Sequence, residues 1–206
     1  MKKSIFISLS LFFITAFSSA QKRFQLGLKA GISTTQVEGD SYGGFHKAGI
    51  VGGPFVNGKI NDKWSAQFEI LFIQKGSKHV GDPDAGDYTY YYMGLNYMEV
   101  PVLFQYHQKK FTFEIGPGFG YLISHQEFNE YGEVFKPVPF NNTEISGDIG
   151  VSYDLFKRFS INWRYSNSLL PIRKFRSGVG RWYNPGQRNN VLAFSITYQF
   201  GKNDSQ

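Results

Sequence analysis

Apolar and small or polar side chains alternate residue by residue through eight segments of this chain. In the first, Phe24, Leu26, Leu28, Ala30 and Ile32 interleave with Gln25, Gly27, Lys29, Gly31 and Ser33. Successive strand side chains point to opposite faces, so a period of two predicts a strand with one greasy and one polar side. The third segment repeats it with Trp64, Ala66, Phe68, Ile70 and Phe72, and the fifth with Phe111, Phe113, Ile115, Phe119, Tyr121 and Ile123. None of these apolar-face positions carries a charge.

The opposite face holds glycines such as Gly27, Gly31, Gly49, Gly116 and Gly118, together with Lys29, Glu69, Glu99, Glu114, Asp148 and Arg164. An eight-stranded barrel has an interior just wide enough for side chains to fill it, and a row of Phe, Trp and Tyr from every strand would overfill it. The small and charged residues are therefore expected inside and the aromatic face against lipid. This polarity predicts an all-β chain: an eight-stranded antiparallel up-and-down transmembrane β-barrel.

The strands are expected at 23–34, 46–59, 64–75, 93–107, 111–124, 144–154, 158–169 and 189–200. Connectors alternate strictly between short (60–63, 108–110, 155–157) and long (35–45, 76–92, 125–143, 170–188). Outer-membrane barrels have this asymmetry, with tight periplasmic turns and longer outer loops, so a multi-pass barrel in the cell outer membrane with both termini periplasmic is expected. The second strand is the least regular, because Pro54 removes a ladder donor, and an irregularity or bulge is expected there.

Residues 1–20 carry the parts of a secretory signal peptide: Lys2 and Lys3, an apolar stretch from Ile5 to Phe17, and Ser18, Ser19 and Ala20 before Gln21. Residue 21 is Gln rather than Cys, so no lipid anchor is expected, and the outer-membrane barrel domain is assigned to 21–206. Beyond the signal no run of roughly 20 apolar residues remains to make a membrane helix. The absence of Cys excludes disulfides and thiolate metal sites, and no metal or other cofactor is expected. The formal charge of +6 includes Lys2 and Lys3 and is otherwise scattered, unlike the clustered basic stripe of a nucleic-acid surface, so no nucleic-acid partner is expected.

Opposite charges in a narrow lumen should pair. Glu69, Glu99 and Glu114 come from consecutive strands, with Lys29 and Arg164 across from them and Asp148 near by. A guanidinium engages a carboxylate bidentately and keeps further donors, which makes Arg164 the expected hub of the network. Such a cluster either plugs the lumen and fixes strand register or gates a narrow ion path, as in a small porin.

At the rim, Tyr88, Tyr90, Tyr91 and Tyr92 run beside Asp82, Asp84 and Asp87, and the last long loop carries Arg176, Arg181, Trp182 and Tyr183. These are the candidates for loop binding of surface glycans, lipopolysaccharide or a partner protein. An enzyme would need a base near a nucleophile. The four His are scattered and no Ser-centred motif or metal spacing accompanies them, so His125 with Glu127 or Asp84 is a poor triad fragment and no catalysis is expected.

Three segments carry a resemblance: Glu69-Ile70-Leu71-Phe72-Ile73-Gln74-Lys75-Gly76, Asn96-Tyr97-Met98-Glu99-Val100-Pro101-Val102-Leu103, and Trp163-Arg164-Tyr165-Ser166. With the Gly-Pro-Gly-Phe-Gly run at 116–120, they resemble the strand signatures of the PorT-like outer-membrane β-barrel family over nearly the whole mature chain. The resemblance implies an eight-stranded barrel in the outer membrane of a Bacteroidota-type bacterium. The founding member is associated with protein secretion across that membrane, but membership does not transfer that job; a scaffold or accessory component beside outer-membrane or periplasmic protein partners is the expectation that remains once enzyme and open porin are set aside.

Overall fold

A computed structural model of the chain describes residues 24–135, 137–175 and 186–200. The expected signal peptide and the rim candidates Arg176, Arg181, Trp182 and Tyr183 lie outside the described residues. The described strands are β1 (Phe24–Glu38), β2 (Lys47–Lys59), β3 (Trp64–Glu69), β4 (Leu71–Val80), β5 (Tyr90–Gln108), β6 (Phe111–Asn129), β7 (Gly132–Glu133), β8 (Thr143–Asp154), β9 (Phe159–Ser168), β10 (Arg173–Lys174) and β11 (Gly186–Gln199). β3 and β4 form one wall interrupted at Ile70, and β7 and β10 are two-residue additions above the rim.

Each wall pairs antiparallel with the next, and β11 returns to β1 along twelve residue pairs from Gly27↔Gln199 to Glu38↔Arg188. The ring of eight walls is closed, which removes every long edge and leaves the outward faces to the membrane. The alternation in the sequence maps onto it: Leu26, Ile32, Ile115, Tyr121, Ile161 and Phe194 stand outward, while Lys29, Glu69, Glu114 and Arg164 are buried inside. A cation on the outward face has no partner in hydrocarbon. Replacing Ile115, 60% exposed, with Arg should cost about 2–4 kcal/mol in reversible unfolding from lipid vesicles, and Leu there should be neutral.

The expected irregularity at Pro54 is an interruption of the ladder rather than a bulge. At Pro54 the ladder lapses without slipping: Gly52 faces Phe72 and Phe55 faces Glu69 in one continuous register, and Ile70 still donates to the Pro54 carbonyl at 3.0 Å. The missing N–H explains the gap. A bulge lies in the β5–β6 pair, where Asn96 faces Ser124 but Tyr97 faces Leu122, leaving Ile123 unpaired. It resets the alternation of β6, so that Glu127 turns inward where the sequence had suggested a loop.

The strands also run further outward than expected, β4 to Val80, β5 from Tyr90 and β6 to Asn129. Outward residues become polar there. Asn96 donates to Ser124 at 2.9 Å at the level where the apolar band of β5 and β6 ends.

Beyond Val51↔Ile73 the β2–β4 ladder stops, and the β4–β5 ribbon leans into the mouth over the inner faces of β1 and β2. Ser33 donates to the Gln74 carbonyl at 3.0 Å and Thr35 to that of Gly76 at 2.8 Å. Gly49 makes the close approach, since a Cβ there would lie 2.5 Å from the Gln74 oxygen. The lean brings Met93, Leu95 and Tyr97 against Val37, Leu71, Ile73 and Val191. The interior is therefore not only glycines and ion pairs, as the alternation alone suggested, but carries an apolar core in its outer half.

Candidate functional site

The buried charges form three groups stacked along the lumen. In the one furthest from the mouth, Arg164 grips Glu69 bidentately (Nη1 to Oε2 2.6 Å, Nη2 to Oε1 3.0 Å), and its Nε donates to Glu114 at 2.8 Å. Lys29 Nζ lies 2.8 Å from Glu69, Gln67 donates to Glu69 at 2.6 Å, and Asn162 donates to Glu114 at 3.0 Å. β1, β3, β6 and β9 thus meet at one point. Two carboxylates and two cations, all buried, satisfy one another, which is the condition under which such charges persist in a dry space.

Glu99 and Asp148 join other partners. Glu99 pairs with Lys75, whose Nζ is also 3.0 Å from Glu144 and lies over the Tyr97 ring at 5.0 Å from its centre. Glu144 accepts from Ser168 at 2.5 Å and from Asn189 at 3.1 Å. Asp148 accepts from Ser146 at 3.0 Å. Lys75 and Glu144 were not among the residues singled out from the sequence, although they share the inward parity of Glu69 and Asp148. Extending the alternation to the strand ends would have found both.

The third group closes the mouth. Arg173 of β10 donates to Glu127 at 2.7 and 2.8 Å and to Gln187 at 2.5 Å, and its guanidinium lies 4.4 Å from the centre of the Phe140 ring. The carboxylate beside it holds the Arg173 guanidinium above its ordinary range. Tyr91 donates to Glu127 at 2.7 Å. Tyr42, from the β1–β2 loop, stacks between His79 and Tyr91, each 4.8 Å away. Burial raises the Asp40 carboxyl in the same loop above the usual carboxylate range.

The tyrosine run is consequently not one displayed aromatic face. Tyr90, Tyr91 and Tyr92 lie in β5 rather than a loop, where strand alternation turns Tyr91 into the barrel and leaves Tyr90 and Tyr92 on the other side. Tyr88 is exposed beside the turn at Pro83–Ala85. Glu127 is held by Arg173, and His125 packs against Phe140 at 5.1 Å between ring centres. His79 sits 3.2 Å from Asp87, and His107 lies between Ser65 at 2.7 Å and Thr112 at 2.9 Å. In the middle of the lumen a cavity of about 10 Å³, lined by Lys29, Leu71, Glu99 and Arg164 among others, has room for about one water.

A family model described as "Outer membrane protein beta-barrel domain" matches residues 17–173. Among solved structures, the chain is similar to Ail, the attachment invasion locus protein of Yersinia pestis, with TM-score 0.51 and 13% identity over 86% of this chain and 99% of that one. A second structure of Ail, in complex with the heparin analogue sucrose octasulfate, gives TM-score 0.50 and 13% identity over the same shares of the two chains. Neisserial surface protein A gives TM-score 0.47 and 15% identity, over 86% of this chain and 97% of that one. At these identities the likeness is one of fold. No curated protein matches the chain in sequence.

Proposed function

Since the chain belongs to the outer membrane protein beta-barrel domain family, we propose that it serves the outer membrane as a non-conducting, non-catalytic barrel, a scaffold or accessory component that holds its outer loops above the bilayer. The carrying observation is the filled lumen. Two ion-paired layers, an apolar core and a latched mouth lie in series, and the cavity between them has room for about one water. A gated porin needs a continuous polar path, and the apolar residues Leu71, Ile73, Met93 and Leu95 interrupt it.

The PorT-like strand signatures support a link to protein export across the outer membrane, with the short turns facing the periplasm. The purified barrel should show no single-channel conductance in planar bilayers, and detergent-solubilised outer membranes should yield partner proteins bound to it. Steady openings would end the scaffold reading.

A second reading, loop binding of surface glycans, lipopolysaccharide or a partner protein, is favoured by the exposure of Tyr88, Tyr131 and Phe135. The Ail complex with a heparin analogue supports looking first at sulfated or phosphorylated sugars.

A further inference from the structure

Four of the buried cations, Lys29, Lys75, Arg164 and Arg173, have a carboxylate at hydrogen-bonding distance. Lys47 does not. It is 4% exposed, and among the described residues its ammonium is met only by the Tyr92 ring, 5.9 Å from its centre. That contact is weak, and the ammonium itself is not wholly enclosed, so an anion from outside can reach it. Among the residues outside the described ones only Asp204 is acidic.

The position of Lys47 suggests where the anion comes from. Its stem lies along Gly76, where a Cβ would be 3.0 Å from the Lys47 Cδ, so it fills the gap between the inner face of β2 and the leaning ribbon. The β2–β4 ladder has already ended at Val51↔Ile73, which leaves an unsewn seam in the wall. Lipid-facing Ile50 lies three residues further in, so the seam opens at headgroup height. Lys78, exposed and directly across from Tyr92 in the β4–β5 ladder, puts a second cation at its entrance.

We propose that this seam is a binding site for the phosphate of an outer-leaflet lipid, held by Lys47 and guided in by Lys78. Charge-assisted hydrogen bonds from ammonium to phosphate would give Lys47 the partner it lacks, while the acyl chains stay against Ile50 and Ile32. The site concerns the outer wall and stands whether or not the barrel conducts or takes part in export.

The test uses the intact barrel, delipidated in detergent and titrated with lipid A in mixed micelles, with bound lipid counted by native mass spectrometry. One lipid A should be held by the wild type, Lys47→Met should weaken it at least about tenfold, and Lys47→Arg should restore it. Methionine keeps the unbranched stem and drops the charge, so the variant should still fold. Lys78→Gln, on the surface, should weaken binding several-fold without touching the fold. Equal affinity in wild type, Lys47→Met and Lys78→Gln would overturn the proposal. So would displacement of lipid A by millimolar inorganic phosphate, which would make this a site for free anions, or retention of dephosphorylated lipid A as strongly as the parent.

Discussion

Arg164→Leu is expected to destabilise the barrel by about 3–5 kcal/mol and yet leave it closed to ions. Arg164 supplies two hydrogen bonds to Glu69 and one to Glu114, and Lys29 alone cannot replace them. The substitution leaves a buried carboxylate without its main partner, and that loss, more than the net worth of the ion pairs, sets the magnitude. The barrel stays closed because Lys75, Glu99 and Glu144 and the apolar core lie outward of the damage. Loss of heat resistance on unboiled gels, with unchanged planar-bilayer currents, is the expected pair of results. A large rise in conductance would make Arg164 a gate and remove the basis of the scaffold reading.

The second large effect belongs to a residue with no side chain. Gly49→Val should displace the β4–β5 ribbon from the mouth, because its Cβ would meet the Gln74 oxygen at 2.5 Å and the Gln74 Cβ at 2.9 Å, atoms fixed to the backbone. Overpacking of this kind costs about 1–3 kcal/mol. The Ser33 and Thr35 hydrogen bonds to the ribbon, worth about 1 kcal/mol each, go with it. Hydrogen exchange should speed up at 74–80 and 90–96 while the periplasmic half of β5 and β6 stays protected. Unchanged protection at 74–80 would mean that the ribbon does not depend on Gly49 for its seat. The Arg164 layer is untouched, so this variant too should remain non-conducting.

Lys75 and Glu144 were within reach of the sequence, for their parity is set by the same alternation that marks Glu69 and Asp148. Glu127 was not. A single extra residue at Ile123 reverses the faces of β6, and nothing in its local sequence distinguishes that bulge from a loop. Arg173 was beyond reach for a related reason, since it is held by Glu127 from 46 residues away, through a loop that folds back into the mouth.

Strand alternation acts over two residues, and the lipid it must match lies outside every strand alike. The chain alone therefore determined the class of fold and the closed eight-walled ring, and its alternation marks the inward charges only where the strands are regular. The apolar core, the latch at the mouth, the split of the six inward charges between two layers and the seam beside Lys47 depend on how far one ribbon tilts across another wall. That tilt comes from distant close approaches, Gly49 to Gln74 and Thr35 to Gly76, which only the tertiary structure brings together.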